Sequence, residues 1–158
     1  MNRNPITRTG YEVLTRELSE KSTMGRKCVA KDLELSRESG NLSENSEYMY
    51  AKERQAQLES RIAFLQNYLS KADIVEAQRS RDCISFGVPA KVMNLDTDEI
   101  KVFTIVGELE SDAKKGKISY VSPLGRELLG KRVGEDIELV TPGGEQYWEV
   151  LSVSEDIS

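Results

Sequence analysis

Whatever chemistry this chain performs must be done without histidine. Its 158 residues contain none, and the only cysteines, Cys28 and Cys83, lie far apart. Those two facts remove imidazole acid–base catalysis, Ser/His/Asp and Cys/His triads, and imidazole-ligated metal sites. They also remove CxxC redox chemistry and thiolate zinc sites, so each cysteine reads as a small packed or semi-exposed thiol. Carboxylates, amides, hydroxyls, lysines and arginines remain. They are densest in Arg37-Glu38-Ser39-Gly40-Asn41-Leu42-Ser43-Glu44-Asn45-Ser46-Glu47-Tyr48. On local chemistry this is a helix–helix loop. Gly40 ends one helix, Asn41 or Ser43 caps the next, and Glu44 or Glu47 sits in the first turn, where the helix dipole favours acid. Asn41-Leu42-Ser43 also matches a glycosylation sequon, set aside because no export signal is visible in the first residues.

The elements that must hold this segment differ before and after position 76. Residues 1–75 carry twelve basic and eleven acidic side chains, and residues 76–158 carry ten and sixteen, within a net charge of −5. Glycine and proline are sparse between Gly10 and Asp73 and accumulate after Phe86. The first part reads as helix. Thr7 or Thr9 can cap its start, and Tyr11, Leu14 and Leu18 share a face. After Gly40, residues Ala51, Leu58, Ile62, Leu65, Leu69 and Ala72 form a heptad seam. Between them the stripe is lost: Met24, Cys28, Val29, Leu33 and Leu35 do not share one face, and Gly25 weakens the helix by about 1 kcal/mol relative to alanine. Two long helices around a short polar break predict an antiparallel hairpin, its first helix on the order of 45 Å long over Thr9–Glu38.

The second part reads as strands and turns. Val88–Met93 and Ile100–Val106 flank the turn Asn94–Asp98, and Lys117–Ser122 follows. Pro123–Gly130 is a short helix with proline in its first turn and glycine at its end. Asp136–Thr141 and Gln146–Val153 flank Pro142-Gly143-Gly144-Glu145, which is a turn and too short for a phosphate loop. The expected class is α+β: a helical hairpin, then a small antiparallel sheet with one short helix against it. Leu124, Leu128 and Leu129 are expected in its core. No apolar run approaches the roughly 20 residues of a membrane span, so a cytoplasmic location with no membrane partner is expected.

Taken together, the landmarks resemble the bacterial Gre transcript-cleavage factors, GreA and GreB, over essentially the whole chain. They are Thr7-Arg8-Thr9-Gly10-Tyr11-Glu12, the stretch Gly40 to Tyr48, Phe86-Gly87, Ile105-Val106-Gly107, Ile118-Ser119 with Ser122-Pro123, Leu129-Gly130-Lys131 and Thr141-Pro142-Gly143-Gly144-Glu145. The resemblance implies a coiled-coil hairpin over 1–77 with an acidic tip at 40–47, and an FKBP-like domain over 78–158 that docks on RNA polymerase. It further implies that the hairpin enters the polymerase's secondary channel, where tip carboxylates help hold a second Mg²⁺ while the polymerase hydrolyses backtracked RNA. Two metals about 3.5–4 Å apart can stabilise both oxygens of an in-line displacement.

Here the chain departs from the pattern. The two tip positions that are acidic in cleavage-competent members correspond to Asn41 and Glu44. An amide oxygen can ligate a metal but carries no charge and cannot act as a base. Weakened cleavage is expected, with Mg²⁺ held only jointly with the polymerase and not by the isolated protein. Glu38 and Glu47 are further acids near the tip. Arg37, Lys52, Arg54 and Arg61 could touch phosphates of the nascent RNA 3′ end, with Tyr48 or Tyr50 stacking on a base; interspersed acids argue against a free-standing nucleic-acid binder. A monomer is expected that is no enzyme alone and stimulates cleavage by the polymerase. The alternatives are a secondary-channel regulator without cleavage and, from another class, a peptidyl-prolyl isomerase or chaperone on the FKBP-like half.

Overall fold

The computed structural model describes residues 3–38, 46–76 and 82–154. They fold as two compact units, one formed by residues 11–72 and the other by residues 3–10 together with 73 onward. The expected division at 77/78 therefore changes at the start of the chain. Strand β1 (Asn4–Ile6) pairs with β2 (Ala72–Ile74), and residues 3–10 fold with the second unit. Three residues are too few to show a periodicity, which is why the strand escaped the pattern.

In the first unit, helix α1 (Arg8–Glu20) runs through a π-helical turn, Lys21–Gly25, into α2 (Arg26–Glu38); helix α3 (Ser46–Ser70) follows. Thr7 caps α1, its Oγ1 accepting from the amide of Gly10 at 3.0 Å. The π turn accounts for the lost stripe. The Arg26 amide bonds back to the Lys21 carbonyl, five residues away, so the helix takes one extra residue and is re-phased. Across it the inward face runs through Leu14, Gly25, Val29, Leu33 and Ser36, while Met24 and Leu35 are exposed. Gly25 lies where the helices come close: a Cβ there would sit 3.2 Å from Leu58 Cδ1, so that side chain would have to give by a few tenths of an ångström.

On α3, Ala51, Ile62 and Leu65 are buried as the heptad predicts, and Tyr68 is buried where the pattern pointed to Leu69. As numbers rise on one helix they fall on the other. Glu17 is reached by Arg61, Arg26 reaches Glu59, and Asp32 reaches Arg54, which is the register of antiparallel helices.

In the second unit, five strands lie in the order β5-β4-β3-β7-β6: β3 (Ala90–Asn94), β4 (Ile100–Val106), β5 (Lys117–Ser119), β6 (Asp136–Thr141) and β7 (Gly144–Val153). The sheet is antiparallel as expected except at one edge, where β5 runs parallel to β4 with Thr104 opposite Lys117. A register shift at Lys91/Val92 sets four residues of β7, Val150 to Val153, against three of β3, Ala90 to Val92; Ala90, Val92, Val150 and Val153 all stay buried. Ile84, Val88, Ile105, Leu128, Ile137 and Trp148 complete this core.

The short helix α4 (Pro123–Leu128) is capped by Ser122, whose Oγ accepts from Gly125 at 3.0 Å. Leu128 is buried and Leu124 half-buried, but Leu129 is 42% exposed because the helix ends there; it was expected in the core. Asn94 is buried and closes the β3–β4 turn, its Oδ1 accepting from Asp96 at 2.9 Å and Thr97 at 3.2 Å. The start of α1 is held to this unit by Glu110. Its carboxylate accepts from the Gly107 amide at 2.9 Å, the Thr7 amide at 3.0 Å and the Thr7 hydroxyl. Among the described residues no helix is long and apolar enough to cross a membrane.

Candidate functional site

Asn41 and Glu44, the two residues expected to do the chemistry, lie outside the described residues, with most of the acidic segment 40–47. The structure instead describes the two helix ends that flank them. Arg37 and Glu38 close α2 and are exposed; Glu47 is exposed in the first turn of α3.

Tyr48 is half-buried among cations. Arg37 Cζ lies 5.7 Å and Lys52 Nζ 5.8 Å from its ring centroid, within cation–π range. Hydrogen bonding with Arg37, aided by the Lys52 charge, holds the Tyr48 phenol below the ordinary tyrosine value. Tyr50, two residues on and therefore on another face, is 61% exposed. It lines an open cavity of about 310 Å³ with Asp32, Leu35, Ser36, Glu47 and Arg54.

The six residues read from sequence as RNA contacts are thus not one surface. Arg37, Tyr48 and Lys52 form a cluster at the helix ends. Tyr50 and Arg54 share the cavity, with Arg54 3.4 Å from Asp32. Arg61 stands apart, donating to both oxygens of Glu17 at 3.0 and 3.2 Å, with its guanidinium 5.6 Å from the Phe64 ring. Glu59 takes a bidentate pair from Arg26 at 2.9 and 3.0 Å, which lowers its pKa and raises that of Arg26. Asp32, Leu35 and Ser36 were missed by sequence reasoning. Their only signal was helical spacing on α2, and the π turn had scrambled it.

The two residues expected from the sequence to face a divalent ion, Glu44 and Asn41, would offer one carboxylate and one amide oxygen. Both are hard oxygens of the kind Mg²⁺ accepts, but they are too few for a site of their own. Among the described residues no three histidine, cysteine or acidic side chains gather as metal ligands.

The second unit carries an apolar hollow of about 280 Å³ between α4 and the β4, β6 and β7 strands, lined by Phe103, Leu124, Leu139, Val140 and Trp148. Val140 is 80% exposed at its rim, and Lys101 Nζ lies 5.7 Å from the Trp148 ring centroid.

Comparison with known proteins gives matches for both units. Residues 4–74 match the family described as "Transcription elongation factor, N-terminal", and residues 78–155 the one described as "Transcription elongation factor, GreA/GreB, C-term". The transcription elongation factor GreA of Nautilia profundicola is 42% identical over 159 residues, covering 99% of this chain and 98% of that protein. GreA of Rhodopseudomonas palustris strain TIE-1 is 42% identical over 150 residues, covering 94% and 95%. Among solved structures, GreA factor homolog 1 (Gfh1) of Thermus thermophilus is 29% identical with a TM-score of 0.43, covering 96% of this chain and 99% of that one.

Proposed function

Since the chain belongs to the GreA/GreB family of transcription elongation factors, we propose that it presents its hairpin through the secondary channel of RNA polymerase and stimulates cleavage of backtracked nascent RNA. The observation that carries this reading is the retained Glu44 in a segment bracketed by two long helices, α2 and α3.

A divalent ion shared with the polymerase would supply charge stabilisation of the in-line displacement. Glu44 contributes one carboxylate oxygen toward that ion, and Asn41 a neutral amide oxygen. The hydrolytic step belongs to the polymerase, so this chain is an accessory and not an enzyme alone. The exposed face of Tyr50 offers a stacking surface to an extruded base, a contact worth about 1–3 kcal/mol per base in single-stranded nucleic-acid binders. In the second unit, the hollow around Trp148 with Val140 at its rim is the apolar surface offered to the polymerase. The protein acts as a monomer in the cytoplasm.

The test is a purified backtracked elongation complex with Mg²⁺. Wild type is expected to accelerate cleavage, Asn41→Asp to accelerate it further by restoring a second charge, and Glu44→Gln to abolish the effect. Acceleration that survives Glu44→Gln would refute the reading. The neutral Asn41 favours one other reading, a secondary-channel regulator that occupies polymerase without supporting hydrolysis. Its mark would be an inert wild type on cleavage, an active Asn41→Asp, and an effect on elongation that Glu44→Ala leaves intact.

A further inference from the structure

We propose that Tyr48 is a positioning residue: its ring, held by Arg37 from the end of α2 and Lys52 from the next turn of α3, fixes the two helix ends that carry residues 39–45, and it is not a stacking platform for RNA. The proposal rests on the hairpin being the arm that presents Glu44. Three observations carry it.

The cluster joins the two helices at their far ends. Arg37 is in the last turn of α2 and Tyr48 in the first turn of α3, with Lys52 one turn on, on the same face as Tyr48. Next, the apolar seam gives out before it gets there. Among the described residues the last buried side chains toward this end are Ser36 and Ala51, both small, so hydrophobic burial grips the helix ends weakly. Beyond them, among the described residues, Arg37 over the Tyr48 ring supplies a bridging contact, with Lys52 one turn back on the same ring. Finally, the two tyrosines differ in availability. Tyr48 is half-buried with two cations within 5.8 Å of its ring centroid, whereas Tyr50 is 61% exposed. Cations crowding a ring compete with a base for it.

The depressed phenol of Tyr48 reports the same two cations. Positioning matters because a displacement of about 1 Å in a reacting group can cost on the order of 100-fold in rate.

The experiment uses the full chain, in whichever of wild type and Asn41→Asp cleaves faster, carrying Tyr48→Leu or Tyr48→Phe; far-UV ellipticity checks that the helices remain. In the free protein, Tyr48→Leu should speed amide exchange at 33–38 and 46–51 by roughly tenfold or more, and Tyr48→Phe should not. In the backtracked complex, Tyr48→Leu should lower the cleavage rate at saturating factor on the order of 10–100-fold with an unchanged half-saturating concentration, and Tyr48→Phe should regain most of the loss. The fold-loss should be the same when the extruded nucleotides are abasic. Unchanged exchange in Tyr48→Leu overturns the proposal, as does a loss that disappears on abasic RNA, which would mark stacking. If neither background accelerates cleavage, the cleavage reading fails instead, and the exchange comparison still decides whether Tyr48 holds the helix ends.

Discussion

Arg61 and Tyr50 lie about three turns apart on α3, and their neighbours give them different work. Arg61 is committed to Glu17 on α1 by two hydrogen bonds. That pair is about a third exposed, at 38% and 30% for its side chains, so solvent screens it. Arg61→Gln is expected to cost below about 1 kcal/mol, and a Glu17→Gln double-mutant cycle in urea should show that loss as coupling between the two. Among the described residues Tyr50 has no such pairing. Tyr50→Ala should leave stability within about 0.5 kcal/mol yet weaken the grip on polymerase carrying extruded RNA by about 1–3 kcal/mol. Competition titrations against complexes with and without extruded RNA measure it. The pair Arg26–Glu59 has a pH signature. Glu59 titrates below its ordinary 4.5 when folded, so its contribution is present above that value and fades as pH falls through the lower folded one. The difference in thermal midpoint between wild type and Glu59→Gln should therefore be seen at neutral pH, fall away as the solution is acidified below 4.5, and shrink with added salt. None of these pairings was legible in the sequence. Residue type and helical position put Arg37, Lys52, Arg54 and Arg61 on one list, but the acids that claim Arg54 and Arg61 come from the opposing helix.

Helix length and the α3 seam were readable because Ala51, Ile62 and Leu65 recur at coiled-coil spacing. The first helix was readable only up to Leu18. Past that point a heptad template fails, since the π turn at Lys21–Gly25 inserts a residue and the inward face resumes out of step. The loss of pattern was itself the signal of an irregularity, although it could not reveal its kind. Gly25 marks the place where the partner helix comes close. Adding a β-branched side chain there must displace Leu58, so Gly25→Val is expected to destabilise the hairpin by about 1–3 kcal/mol. Leu58→Ala in the same chain should return part of it, as followed by ellipticity at 222 nm in urea. Among the strands, β4 and β6 were read with their observed limits. The parallel pairing of β4 with β5 was not, because register between strands separated by turns leaves no local trace. Gly116, with φ of +72°, lies between them where a Cβ would meet the Val102 carbonyl at 2.3 Å.

The two units gain stability by different means. The hairpin has one thin seam and a few exposed ion pairs. The sheet unit has a layered core around Trp148, with Phe103 edge-on at 6.4 Å. Trp148 is the only tryptophan, so its fluorescence reports the sheet unit alone, while most of the 222 nm ellipticity comes from the helices. The two signals are expected to give different urea midpoints, fluorescence the higher; coincident curves would show one cooperative fold. Trp148→Ala should cost about 3–5 kcal/mol in the sheet unit and leave the first, helical transition nearly unmoved. The composition shift near residue 76 revealed that there are two units, but not that residues 3–10 cross over, since the Thr7–Glu110 contact spans 103 positions. That crossing has a practical consequence. The helices form an excursion whose departure and return are tied side by side, β1 to β2. Both splice points for a graft therefore fall beside one small ribbon, and exchanging segment 8–71 with that of another member transplants all three helices as a cassette without severing a strand of either sheet.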